Sequence, residues 1–111
     1  MTPRLITDDV PALVEFLRIV FGATGECRSN APSEMRIGDS IVMVSDGGGI
    51  REKTSAFLYV YVENTDAACS RAVGAGAQIL EPPIDTPYGD RRAMVRDPWG
   101  NTWQIATLMH R

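Results

Sequence analysis

The chain has 111 residues, 44% of them hydrophobic and 23% charged, which is the make-up of one globular domain with room for a single core. A net charge of −3 and eleven scattered basic residues leave no basic stripe for nucleic acid, and no apolar run approaches the ~20 residues of a membrane helix. The opening Met1-Thr-Pro-Arg-Leu5 carries no leader-like apolar stretch, so a cytoplasmic location is expected.

Taken in order, Leu5 and Ile6 read as a short strand, and Asp8 or Asp9 as the cap of a helix that tolerates Pro11 in its first turn. Val10, Leu13, Phe16, Leu17, Val20 and Phe21 recur at helical spacing, and Gly22 is the expected stop. Strands are then expected at about 25–29, 35–37 and 40–45, the last two joined by a Gly38-Asp39 turn. A glycine-rich linker follows over about 47–55.

The second half repeats the pattern at an offset of 55, which aligns Arg4 with Tyr59 and Thr2 with Phe57. Phe57-Leu-Tyr-Val-Tyr61 is an aromatic, β-branched strand. Asn64 or Thr65 caps an Ala-rich helix to about Val73, whose small side chains suit a flat sheet surface. Strands are expected at 78–80, 91–96 and 102–108, with a stiff proline loop over 81–90 and a turn at Asp97-Pro-Trp-Gly-Asn101. The order is βαβββ twice: module one over about 1–46, the linker, and module two over 56–111.

Two such modules, together with Tyr88-Gly-Asp-Arg91 and Asp97-Pro-Trp-Gly-Asn101, resemble the glyoxalase/bleomycin resistance protein/dioxygenase (vicinal oxygen chelate) superfamily. The Tyr88 stretch is similar to a subgroup related to a phosphonate-utilisation protein. The resemblance implies an α+β fold, an eight-stranded mixed sheet curled into a cup with helices on its convex face, and a homodimer. Metal enzymes of the family place four ligands on positions that fall here at Thr2, near Val42–Val44, at Phe57 and at Gln104. One neutral amide among them is no set for a divalent ion, which needs imidazole, carboxylate or thiolate donors. No metal and no other cofactor is therefore expected. His110 reads as a solvated tail residue.

If Phe57 and Gln104 face the cup, strand alternation brings Tyr59 and Tyr61 with them and turns Leu58, Val60, Trp103 and Ile105 toward the helices. The three rings either line a site for an apolar or planar small molecule or fill the cup as core. Arg4, and Arg91 or Arg92 according to strand parity, could clamp an anionic group there, with Arg92 the preferred candidate. The expected ligand-binding set is thus Phe57, Tyr59, Tyr61, Gln104, Arg4 and Arg92. Trp99 at the turn tip reads as a contact residue for a second subunit or a ligand, or as local packing. Cys27 and Cys69 read as reduced, mostly buried thiols, with one disulfide between them as the other possibility. The expected function is metal-independent small-molecule binding of the sequestering kind. The alternative is a lyase- or isomerase-like enzyme that uses hydrogen-bond donors in place of the metal.

Overall fold

The computed structural model describes residues 1–47 and 54–109. Most of the expected linker and His110 lie outside the described residues. The chain divides into two compact units, Met1–Ser55 and Ala56–Arg111.

In the first unit, β1 (Arg4–Thr7) leads into α1 (Val10–Phe21), followed by β2 (Ser33–Ile37) and β3 (Ser40–Asp46). The sheet order is β1-β3-β2, with β1 parallel and β2 antiparallel to β3. Asp9 rather than Asp8 caps α1, its carboxylate accepting from the Ala12 N–H at 3.1 Å. Gly22 closes the helix in the left-handed conformation, as its φ of 64° requires. Leu13, Val14, Leu17 and Val20 on α1 are buried, as are Leu5, Met35, Val42 and Val44 on the sheet, so one helical stripe meets one sheet face.

The strand expected at 25–29 does not form. Just before it one bridge joins Thr24 to Arg36 of β2, and within it the Arg28 N–H donates to the Ser33 hydroxyl at 2.8 Å rather than to a strand backbone. Gly25 lies at φ 139°, and a Cβ there would collide with the Glu34 carbonyl oxygen, so the chain passes too close to β2 to run alongside it.

The second unit keeps the full βαβββ order: β4 (Phe57–Tyr61), α2 (Thr65–Gly74), β5 (Gln78–Asp85), β6 (Asp90–Arg96) and β7 (Thr102–Leu108). Its sheet runs β4-β7-β6-β5, parallel between β4 and β7 and antiparallel elsewhere. Asn64 caps α2 through the Ala67 N–H. The helix buries only Ala68, Cys69, Ala72 and Thr65. Those small residues let it lie close over β5, β6 and β7, above buried Ala93, Val95, Trp103 and Ile105.

The expected proline loop is instead mostly strand, because β5 continues through Pro82-Pro83 to Asp85. It can do so because β5 is an edge strand, where a missing N–H costs no ladder bond, and the register slips on either side of Glu81. The described residues thus form seven strands in two separate sheets of three and four, where eight strands in one sheet were expected. The α+β class holds, with one helix covering one face of each sheet.

Candidate functional site

The face of the second sheet turned away from α2 follows from its register. Phe57, Tyr59 and Tyr61 on β4 stand opposite Thr102, Gln104 and Ala106 on β7, and Gln104 and Ala106 stand opposite Met94 and Arg92 on β6. Cross-strand partners share a face. Phe57, Tyr59, Tyr61, Gln104, Arg92 and Asp90 therefore project to one side, and Trp103 and Ile105 lie buried on the other. Parity selects Arg92 for this face. Arg91 points to the helix side and pairs with Asp66 and Asp85 at 2.7 and 2.9 Å.

The three rings of β4 are open to solvent: Phe57 is 65% exposed, Tyr59 38% and Tyr61 60%. Leu58 and Val60 behind them are only half-buried, short of the full burial expected. The cause is the sheet order, since α2 sits over β5, β6 and β7 and leaves the edge strand β4 partly uncovered.

Asp90 organises this face and was not among the expected site residues. Its side is 2% exposed, and its Oδ2 accepts from the Tyr59 hydroxyl at 2.6 Å and the Tyr61 hydroxyl at 2.9 Å. The two rings stand 5.4 Å apart, tilted by 54°. Behind the carboxylate, the Thr86 hydroxyl accepts from the Asp90 N–H at 3.0 Å, and the Thr86 N–H donates to the Asp90 carbonyl at 2.7 Å. A hairpin therefore fixes its position. The Tyr88 hydroxyl lies 3.4 Å from that of Tyr59 and accepts from Arg92 Nη1 at 2.8 Å. Arg92 also donates to Glu81 Oε1 through Nε at 3.2 Å and Nη2 at 2.7 Å.

These contacts set the proton chemistry. Desolvation, and then the bond to Asp90, pushes the Tyr59 phenol far above its ordinary value of 10.0. For Tyr61 the bond to Asp90 is the leading cause of a rise in the same direction. Both phenols therefore stay protonated and both spend their only hydrogen on one carboxylate. The Arg92 guanidinium is held charged chiefly by Glu81.

Arg4 belongs to the first unit, on the sheet face opposite Leu5, with Nη2 3.5 Å from Met43 Sδ. Val42 and Val44 are buried in the first unit's core, Thr2 is exposed, and Phe57 offers a bare phenyl. Among the described residues no three His, Cys, Asp or Glu side chains converge, and the family's metal positions do not fit a divalent ion. Trp99 is half-buried rather than an exposed tip. The reason is Asp97, whose carboxylate accepts from the Trp99 and Asn101 N–H groups, from Asn101 Nδ2 and from Trp103 Nε1, all within 3.0 Å, winding the turn tightly. Cys27 is exposed, against expectation, and Cys69 is buried; both are free thiols. An open groove of 440 Å³ between α2 and β5 includes Cys69, whose thiol is pushed up by burial and so is a poor nucleophile.

Asp90, Tyr88 and Glu81 are the residues that sequence reasoning missed. The signal for Asp90 was present, because a turn over 97–101 pairs Arg96 with Thr102 and so carries the parity back to Asp90 opposite Leu108.

The profile of the Glyoxalase/Bleomycin resistance protein/Dioxygenase superfamily matches residues 2–105. TioX from Micromonospora sp. ML1 superposes with a TM-score of 0.80 at 30% identity, covering 97% of each chain. The fosfomycin resistance protein FosX from Mesorhizobium loti superposes with a TM-score of 0.73 at 18% identity, covering 96% of this chain and 89% of its own, a likeness of fold alone. Uncharacterized protein Mb0911c of Mycobacterium bovis is 29% identical over 122 aligned positions, covering 95% of this chain and 80% of the relative.

Proposed function

The chain belongs to the glyoxalase/bleomycin resistance protein/dioxygenase superfamily, and we propose that it is a metal-independent binding protein that sequesters a planar small molecule. One observation carries the reading. A row of three aromatic side chains stands uncovered on a sheet face, with two of the rings tied to a buried carboxylate. Large exposed rings in a soluble chain mark a binding surface more often than idle area. Rings held by short hydrogen bonds lose little rotational freedom when a ligand stacks on them.

Gln104, beside Tyr59 on the next strand, supplies an amide to orient the ligand. Arg92 acts one step back by fixing the Tyr88 hydroxyl. The catalytic alternative needs hydroxyls that donate to a developing oxyanion, but the Tyr59 and Tyr61 hydrogens already go to Asp90. That weakens these residues as oxyanion donors and favours binding without turnover. The donor set at Thr2, Val42–Val44, Phe57 and Gln104 supports metal independence.

A thermal-shift screen of planar aromatic compounds, run with and without added Zn, Ni, Mn and Fe, tests the proposal. A true ligand at a hundredfold excess over its dissociation constant adds about 2.7 kcal/mol of stability. That gain should survive chelator and fall in Phe57→Ala. Stabilisation only with metal, or a tightly held equivalent of metal by elemental analysis, would overturn it.

A further inference from the structure

The charge of the ligand can be read from the same face, and this step rests on the binding role just proposed. The Tyr59 and Tyr61 hydroxyls both turn inward to Asp90, so neither of these two phenols has a hydrogen left to point at a ligand. What the rings offer outward is their π faces and oxygen lone pairs, all of which favour positive charge or hydrogen-bond donors. Behind them stands the Asp90 carboxylate, buried and held by two phenols, with no basic side chain bonded to it among the described residues.

Among the described residues of this unit, the cation bonded into this cluster is Arg92, and it is already matched by an ion pair with Glu81 at 2.7 Å. Asp90, Glu81 and Arg92 together therefore leave one net negative charge. Arg96, also on this face, lies six positions from Asp90 along β6, about 20 Å away. That exceeds the screening length at physiological salt. The rings can therefore act as a cation-binding wall.

We infer that the ligand is a planar organic cation, such as an N-alkylated or protonated aromatic amine, stacked on Tyr59 and Tyr61 with Asp90 as its counter-charge. An anionic ligand clamped by Arg92 is the arrangement this geometry opposes, because Glu81 and Tyr88 already occupy that guanidinium.

Three probes that share one ring system provide the test by calorimetry: N-methylisoquinolinium, isoquinoline under conditions where it is uncharged, and an isoquinoline carboxylate. The cation should bind at least roughly tenfold tighter than the neutral ring, and the anion weakest of the three. Asp90→Asn should bring the ratio of cation to neutral affinity toward one, whatever happens to the affinity for neutral isoquinoline. If Asp90→Asn does not fold by circular dichroism, Tyr61→Leu decides, because loss of one exposed ring should bring the cation-to-neutral ratio toward one. Equal binding of cation and neutral ring, or tightest binding of the anion, overturns the inference and leaves the ring row a ligand face. Binding of none of the three overturns both readings.

Discussion

Asp97 and Asp90 are both buried carboxylates, and they do opposite work. Asp97 closes its turn with four donors, so Asp97→Ala leaves several buried N–H groups without acceptors. The expected loss is more than about 3 kcal/mol by urea denaturation, at roughly 1–3 kcal/mol for each stranded group. A loss near zero would mean that water replaces the carboxylate. Asp90 instead opposes the ionisation of two phenols, and the sign of the pH effect follows. A phenol whose folded value lies above its unfolded value of 10.0 contributes stability that is whole below pH 10.0 and lost as pH climbs toward the folded value. Unfolding free energy should therefore fall on the alkaline side, in step with a delayed tyrosinate absorbance. Asp90→Asn should bring both tyrosine titrations down, and an unchanged titration would place the cause elsewhere.

At the scale of elements, β4 separates the two roles that the sequence left open for its rings. Phe57 is 65% exposed and makes no hydrogen bond from its ring, so Phe57→Ala should cost less than about 1 kcal/mol. Ile105, fully buried on the helix side of the neighbouring strand, should cost about 2–5 kcal/mol on truncation to Ala. Equal losses would show the rings to be core filler. The helices, the hairpin at Gly38-Asp39 and the turn at Asp97 were legible because caps, glycines and apolar spacing are local signals. The missing strand at 25–29 was not, because it depends on how closely Gly25 passes the Glu34 carbonyl. Pro82-Pro83 read as loop because sequence does not say which strand lies at an edge. The face of Tyr59 and Tyr61 followed from alternation, but their common partner Asp90 required pairing across three strands.

For the whole molecule, the superfamily resemblance leads us to expect a homodimer, and the open ring row limits how that dimer can form. Phe57, Tyr61 and Tyr88 are each at least 60% exposed, a surface that either a ligand or a second copy could cover. The binding proposal requires the first, so the dimer must bury other surface. Light scattering at micromolar concentration should give about twice the 12.1 kDa chain mass. Tyr61→Glu puts a charge in the ring row, a change that would split a dimer built on those rings by desolvating an unpaired carboxylate. The expected result is an unchanged dimer mass. A clean monomer in the unmodified protein would refute the dimer. A dimer that dissociates only in the Tyr61→Glu variant would show that the rings are the subunit contact, and the ligand site would have to be sought on another face.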